Sequence, residues 1–78
     1  MSEKQPVEVD ARGLSCPMPL LKARKAVATA EPGQPVVVYA TDRGAESDFR
    51  AYSERAGHRL ASLEWQGGVL RIELIRGE

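Results

Sequence analysis

The chain has 78 residues, 42% hydrophobic and 28% charged, with a formal net charge of zero. That length suits a single domain over residues 1–78 with one modest core, its ordered part expected from about residue 6 to 76. A balanced charge gives no case for nucleic-acid binding by overall electrostatics, a single cysteine excludes an internal disulfide, and one cysteine with one histidine cannot complete a typical zinc site.

Met1–Gln5 is polar and is expected to fray. Val7, Val9 and Ala11 alternate with Glu8 and Asp10, the pattern of a strand with one buried face. The next stretch, Arg12-Gly13-Leu14-Ser15-Cys16-Pro17-Met18-Pro19, reads as a loop turning into a helix. Gly13 suits a tight turn, and proline is favoured where a first helical turn has no partner for an N–H. Taking Pro17 as the first helical residue makes Cys16 the capping residue, with the Met18 N–H as the nearby donor; Ser15 is the alternative cap. Leu20, Ala23, Val27 and Ala30 then form an apolar stripe at helical spacing, with Leu21 and Ala28 beside it. Glu31-Pro32-Gly33 ends the helix.

The run Val36 to Thr41 is β-branched and nearly all apolar, as in an inner strand. Strand, helix and strand in that order imply a right-handed parallel crossover. Asp42 can cap a second helix, with Glu46 and Asp48 in its first turns, where the macrodipole favours negative charge. Its inward stripe is Ala45, Phe49, Tyr52 and Ala56, and Gly57 is a good stop. Leu60–Gln66 and Val69–Arg76 flank Gly67-Gly68 and form a hairpin. The expected fold is therefore α+β, β-α-β-α-β-β, with two helices on one face of a four-stranded mixed sheet.

Cys16 is the candidate reactive group. The thiolate is the nucleophile, and a helix N-terminus together with Arg12, Lys22, Arg24 and Lys25 is expected to favour it; no acidic residue lies between Ala11 and Ala30. A buried, inert cysteine is the competing reading. Asp10 is expected to tie the loop through backbone hydrogen bonds, because a carboxylate touching the sulfur would raise its pKa. The cations Lys22, Arg24 and Lys25 are candidates for partner docking, against ordinary solvated charge. His58 is read as a surface residue, and the spacing of Tyr39, Phe49, Tyr52 and Trp65 fits core faces better than base stacking.

Asp10-Ala11-Arg12-Gly13-Leu14-Ser15-Cys16-Pro17-Met18-Pro19 resembles the Asp-x-Arg-Gly-Leu-x-Cys-Pro-x-Pro signature of the TusA/SirA family at every fixed position. Pro32-Gly33, Thr41-Asp42 and Gly57-His58 are weaker agreements, and the likeness spans Val7 to Ile75. The resemblance implies a fold similar to the C-terminal domain of a translation initiation factor, with sheet order one, two, four, three and an antiparallel last strand. It also implies a sulfur carrier in which Cys16 takes up sulfane sulfur as a persulfide and passes it on. Arg12, Gly13, Pro17, Met18 and Pro19 would support the sulfur, and no cofactor is expected. Implied donors are a cysteine desulfurase or a rhodanese. Implied acceptors are TusBCD- or DsrE-like relay proteins, in tRNA 2-thiouridine synthesis or sulfur oxidation.

No apolar run is long enough to span a bilayer and the start carries no signal-peptide pattern, so no membrane contact is expected; with the single cysteine as a working thiol, a reduced, cytoplasmic compartment is. The balanced charge and a basic helix without interleaved aromatics give no expectation of direct nucleic-acid contact. A monomer is expected, with an exposed edge strand leaving a dimer open. The alternative function is a non-catalytic regulatory module that binds protein or RNA through the basic face of the first helix. A redox sensor is weaker, for want of a resolving cysteine.

Overall fold

Six elements follow one another in the computed structural model, which describes residues 4–77: β1 (Val7–Ala11), α1 (Met18–Thr29), β2 (Pro35–Ala40), α2 (Ala45–Ala56), β3 (Arg59–Gln66) and β4 (Val69–Ile75). The sheet order is β1-β2-β4-β3. β1 and β2 are parallel, and β4 runs antiparallel to both β2 and β3. The element order, sheet order and orientation of the last strand are those expected from the sequence.

Strand alternation decides which face the helices cover. Val9, Ala11, Val36, Val38, Ala40, Leu70, Ile72 and Leu74 point to one side, where they pack with Ala23, Val27 and Ala30 of the α1 segment and with Ala45 and Phe49 of α2. Register keeps these residues in rows: Val9 lies beside Val38, which lies beside Ile72. Phe49, Leu70, Ile72 and Leu74 are completely buried, and burial of each such side chain contributes about 1.5–3 kcal/mol. The opposite face carries Arg71 and Glu73, paired at 3.3 Å. Val37 is buried on that face as well, but Pro35 and Tyr39 beside it are only half-buried, so the continuous apolar run of β2 is fully covered on the helix side alone.

Several local expectations change. On α1 the buried residues are Pro19, Ala23 and Val27, whereas Leu21 and Ala28 face solvent. On α2 Ser53 takes an inward place, its hydroxyl bonded to the Arg50 carbonyl at 3.0 Å, and Ala56 is exposed. Of the four aromatics only Phe49 is fully buried; Tyr39 lies on the open face beside Arg71, and Trp65 is exposed. The β3 strand contains a bulge between Leu60 and Ser62, which lets both Leu60 and Leu63 reach the core.

The fraying expected of Met1–Gln5 lies outside the described residues for positions 1–3. Lys4 and Gln5 are held: Lys4 bonds to the Pro32 carbonyl, and the Gln5 carbonyl accepts from the Gln34 amide at 2.8 Å. No helix among the described residues is long and apolar enough to cross a membrane.

Candidate functional site

Parallel neighbours end at the same edge of a sheet, so the loops that follow β1 and β2 emerge side by side. Open sheets of this kind place their sites there, beyond the carboxyl ends of the strands. The first loop carries Cys16 and the second carries Asp42, Arg43 and Gly44. The two loops meet: a side-chain carbon placed on Gly44 would lie 3.9 Å from the Cys16 Cβ.

The first loop is built from β1 outward. Asp10 closes on Arg12 through three hydrogen bonds, from its backbone N–H at 3.2 Å and from its guanidinium at 2.8 and 3.0 Å. These bonds lower the Asp10 pKa from 3.8 to about 2. Gly13 takes a left-handed φ of 82° and donates its N–H to the Thr41 hydroxyl at 2.9 Å, stitching the first loop to the end of β2. Lys22 reaches back from α1 and donates to the Asp10 carbonyl at 2.7 Å. Asp10 thus ties the loop as expected. The Arg12 guanidinium is turned to Asp10 in a two-pronged ion pair.

The helix start differs from the expectation by one residue. Pro17 is the capping residue and Met18 the first helical one, with no side-chain cap bond. The Cys16–Pro17 peptide is cis. The Met18 N–H donates to the Ser15 carbonyl at 2.8 Å, so it is not turned to the sulfur. Pro17 and Pro19 have no N–H to give. The first positions of α1 therefore offer Cys16 no direct donor, although the helix field remains. Pro19 is buried and anchors the turn, while Met18 is half-exposed.

Cys16 itself is exposed and free. Its thiol donates to the Asp48 carboxylate of α2 at 2.9 Å. This bond, then desolvation, then the charges of Asp48 and Asp42, push the Cys16 pKa above its ordinary value. The expectation of a depressed pKa is overturned. The first loop and helix contain no acid of their own. The acids arrive from the second loop and α2. The sequence marks Asp48 as a first-turn acid of α2; its nearness to the sulfur comes from the parallel pairing of β1 and β2, which brings the two loops together.

The docking cations separate. Lys22 is engaged with the Asp10 carbonyl and so takes part in building the loop. Arg24 and Lys25 are exposed, and among the described residues neither forms an ion pair. Arg24 lines a groove of about 430 Å³ between the helices with Leu20, Asp48, Tyr52 and Arg55. His58 lies at the far end of α2 and accepts from the Gly77 N–H at 2.8 Å, a structural use of its ring. Burial first, and Arg76 second, hold its pKa down.

Residues 7–76 match the family described as Sulfurtransferase TusA. The chain belongs to that family. The sulfur carrier protein TusA of Allochromatium vinosum is 41% identical over 61 residues, covering 78% of this chain and 80% of that protein. YrkI of Bacillus subtilis is 41% identical over 69 residues, covering 88% of this chain and 92% of its own length. The crystal structure of the SirA-like protein from Desulfitobacterium hafniense superposes with a TM-score of 0.79 at 30% identity, covering 92% of this chain and 99% of that one. The family's cysteine signature thus sits, in this member, on an exposed sulfur between two neighbouring loops.

Proposed function

We propose that this chain is a sulfur carrier that accepts sulfane sulfur as a persulfide on Cys16 and delivers it to partner proteins. The observation that carries the reading is the exposed, unpaired Cys16 at the carboxyl edge of the sheet, set in the signature of a family whose members are named sulfur carriers. An exposed sulfur can be reached by another protein's sulfur, which transfer requires.

The step balances without an outside oxidant. The Cys16 sulfur attacks the terminal sulfur of a donor persulfide. A new S–S bond forms, the donor's S–S bond breaks, and the electron pair leaves on the donor's inner sulfur. The proton lost by Cys16 ends on that leaving thiolate. Delivery to an acceptor thiol is the same reaction in reverse order. A cysteine desulfurase or a rhodanese fits the donor role. A relay protein of the TusBCD or DsrE type fits the acceptor role, and a reduced, cytoplasmic setting suits a working thiol.

Incubation with a cysteine desulfurase and cysteine is expected to make the protein one sulfur atom heavier, reversibly by reductant. No such adduct on the wild type, or an equal adduct on Cys16→Ser, counts against the reading.

A further inference from the structure

The bond from Cys16 to Asp48 is unusual company for a nucleophile. It joins residues 32 positions apart, one in the loop before α1 and the other in the first turn of α2, at 2.9 Å. It also works against the thiolate that transfer needs. The charged groups around the sulfur are few. From α2 and the loop before it come Asp48 and Asp42, both raising its pKa. From its own loop and helix come Arg12, closed on Asp10, and Lys22, bonded to the Asp10 carbonyl. Arg24 faces the groove beyond Asp48, and Arg43 lines a separate cavity with Glu46 and Trp65. Among the described residues the only charges that act on the sulfur's pKa are those of Asp48 and Asp42, and no cation offsets them.

We propose that Asp48 is a positioning residue for the transfer: it holds the empty carrier's sulfur as a thiol against the start of α2 and releases it once the sulfur is loaded. The proposal rests on the reading of Cys16 as the sulfur acceptor. A thiol has a proton to donate to the carboxylate. A persulfide is a stronger acid than a thiol; ionised, it has no proton to donate and is repelled by the same carboxylate. The loaded sulfur therefore swings away from α2 and into solvent, where an acceptor can reach it. The loop is built to permit this, since its anchors act on Asp10, Gly13 and Met18 rather than on the Cys16 side chain.

Two measurements on the full chain test it. The first is the rate of Cys16 alkylation by iodoacetamide against pH, with no sulfur donor present. Asp48→Asn is expected to move the profile down by about one pH unit, making alkylation near neutrality roughly tenfold faster. Asp48→Glu is expected to restore an upward position, and Asp42→Asn to move it less than Asp48→Asn. If Asp48→Asn does not fold, as judged by circular dichroism, Asp48→Ser is read in its place. The second is the carboxyl carbon resonance of Asp48 before and after loading with inorganic polysulfide, which is expected to shift. An Asp48→Asn profile that overlays the wild type, or a resonance unmoved by loading, overturns the proposal. If polysulfide adds no sulfur, a cysteine desulfurase with cysteine loads the protein in its place; no adduct from that donor sinks the carrier reading instead, and the alkylation profile then still judges Asp48.

Discussion

Lys22 donates its ammonium to the Asp10 carbonyl at 2.7 Å, joining α1 to the end of β1 across the loop that carries the thiol. Arg24 and Lys25, on the same helix, make no such tie. The three cations read alike as a basic helical face, but only two remain free to meet a partner.

Replacing Lys22 with methionine is expected to cost about 1 kcal/mol, the lower range for a charged hydrogen bond because the contact is exposed. In a domain this small that lowers the melting temperature by about 4–8 °C. Lys25→Met is expected to change stability by less than about 0.5 kcal/mol. Thermal unfolding followed by circular dichroism compares the two. Equal, negligible effects would remove Lys22 from the loop's construction.

Gly13 has a φ of 82°, yet a side-chain carbon added there meets nothing within 4 Å. The cost of a substitution is then conformational and not steric contact. Gly13→Ala is expected to destabilise by about 1–2 kcal/mol, and Gly13→Asn by less, because asparagine tolerates the left-handed region. Chemical denaturation separates the two variants. Equal losses would point to a hidden contact instead.

Asp10, held at a pKa of about 2 by its bonds to Arg12, binds its proton later on acidification than the unfolded chain does. Its contribution to stability is therefore present above about pH 4 and is lost as pH falls through about 2. The Asp10 carboxyl carbon is expected to titrate near 2 in the wild type and closer to the ordinary 3.8 in Arg12→Ala, which keeps the backbone N–H but loses the guanidinium. Identical titrations would mean that the pair does not persist in solution.

His58 has its pKa lowered, chiefly by burial, while its ring accepts from the Gly77 N–H. The unfolded chain binds this proton more readily. Stability from His58 is thus full above its ordinary value near 6.5 and declines as pH falls through the lowered one. Melting curves from pH 8 to 5 should fall more steeply for the wild type than for His58→Phe. Parallel curves would show that the ring nitrogen is not coupled to folding.

Local pattern made most of the fold readable. Alternation at Val7, Val9 and Ala11, the β-branched run of β2, and Gly67-Gly68 each fix an element through neighbours in the chain. The bulge in β3 was harder, although Leu60 and Leu63 carried its mark: two core-facing leucines three apart cannot share a face of an unbroken strand. At the site, the exposure of Cys16 and the loop-tying role of Asp10 followed from residues close in sequence. The sulfur's partner did not. Asp48 reaches it only because a crossover brings two loops together, and charge read along one segment cannot register an acid from another. Tyr39 and Trp65 strayed for a related reason: an aromatic in a strand names two opposite faces equally well until the register is known.

The bulge has a further effect, because β3 is an outer strand of the sheet. An outer strand offers a row of unpaired amides and carbonyls on which a second copy could stack. At Ala61 that row is interrupted and the strand bends, so an incoming strand would lose its ladder partway along. A residue spacing that first serves to seat two leucines thereby also blunts the edge against edge-to-edge addition of further strands.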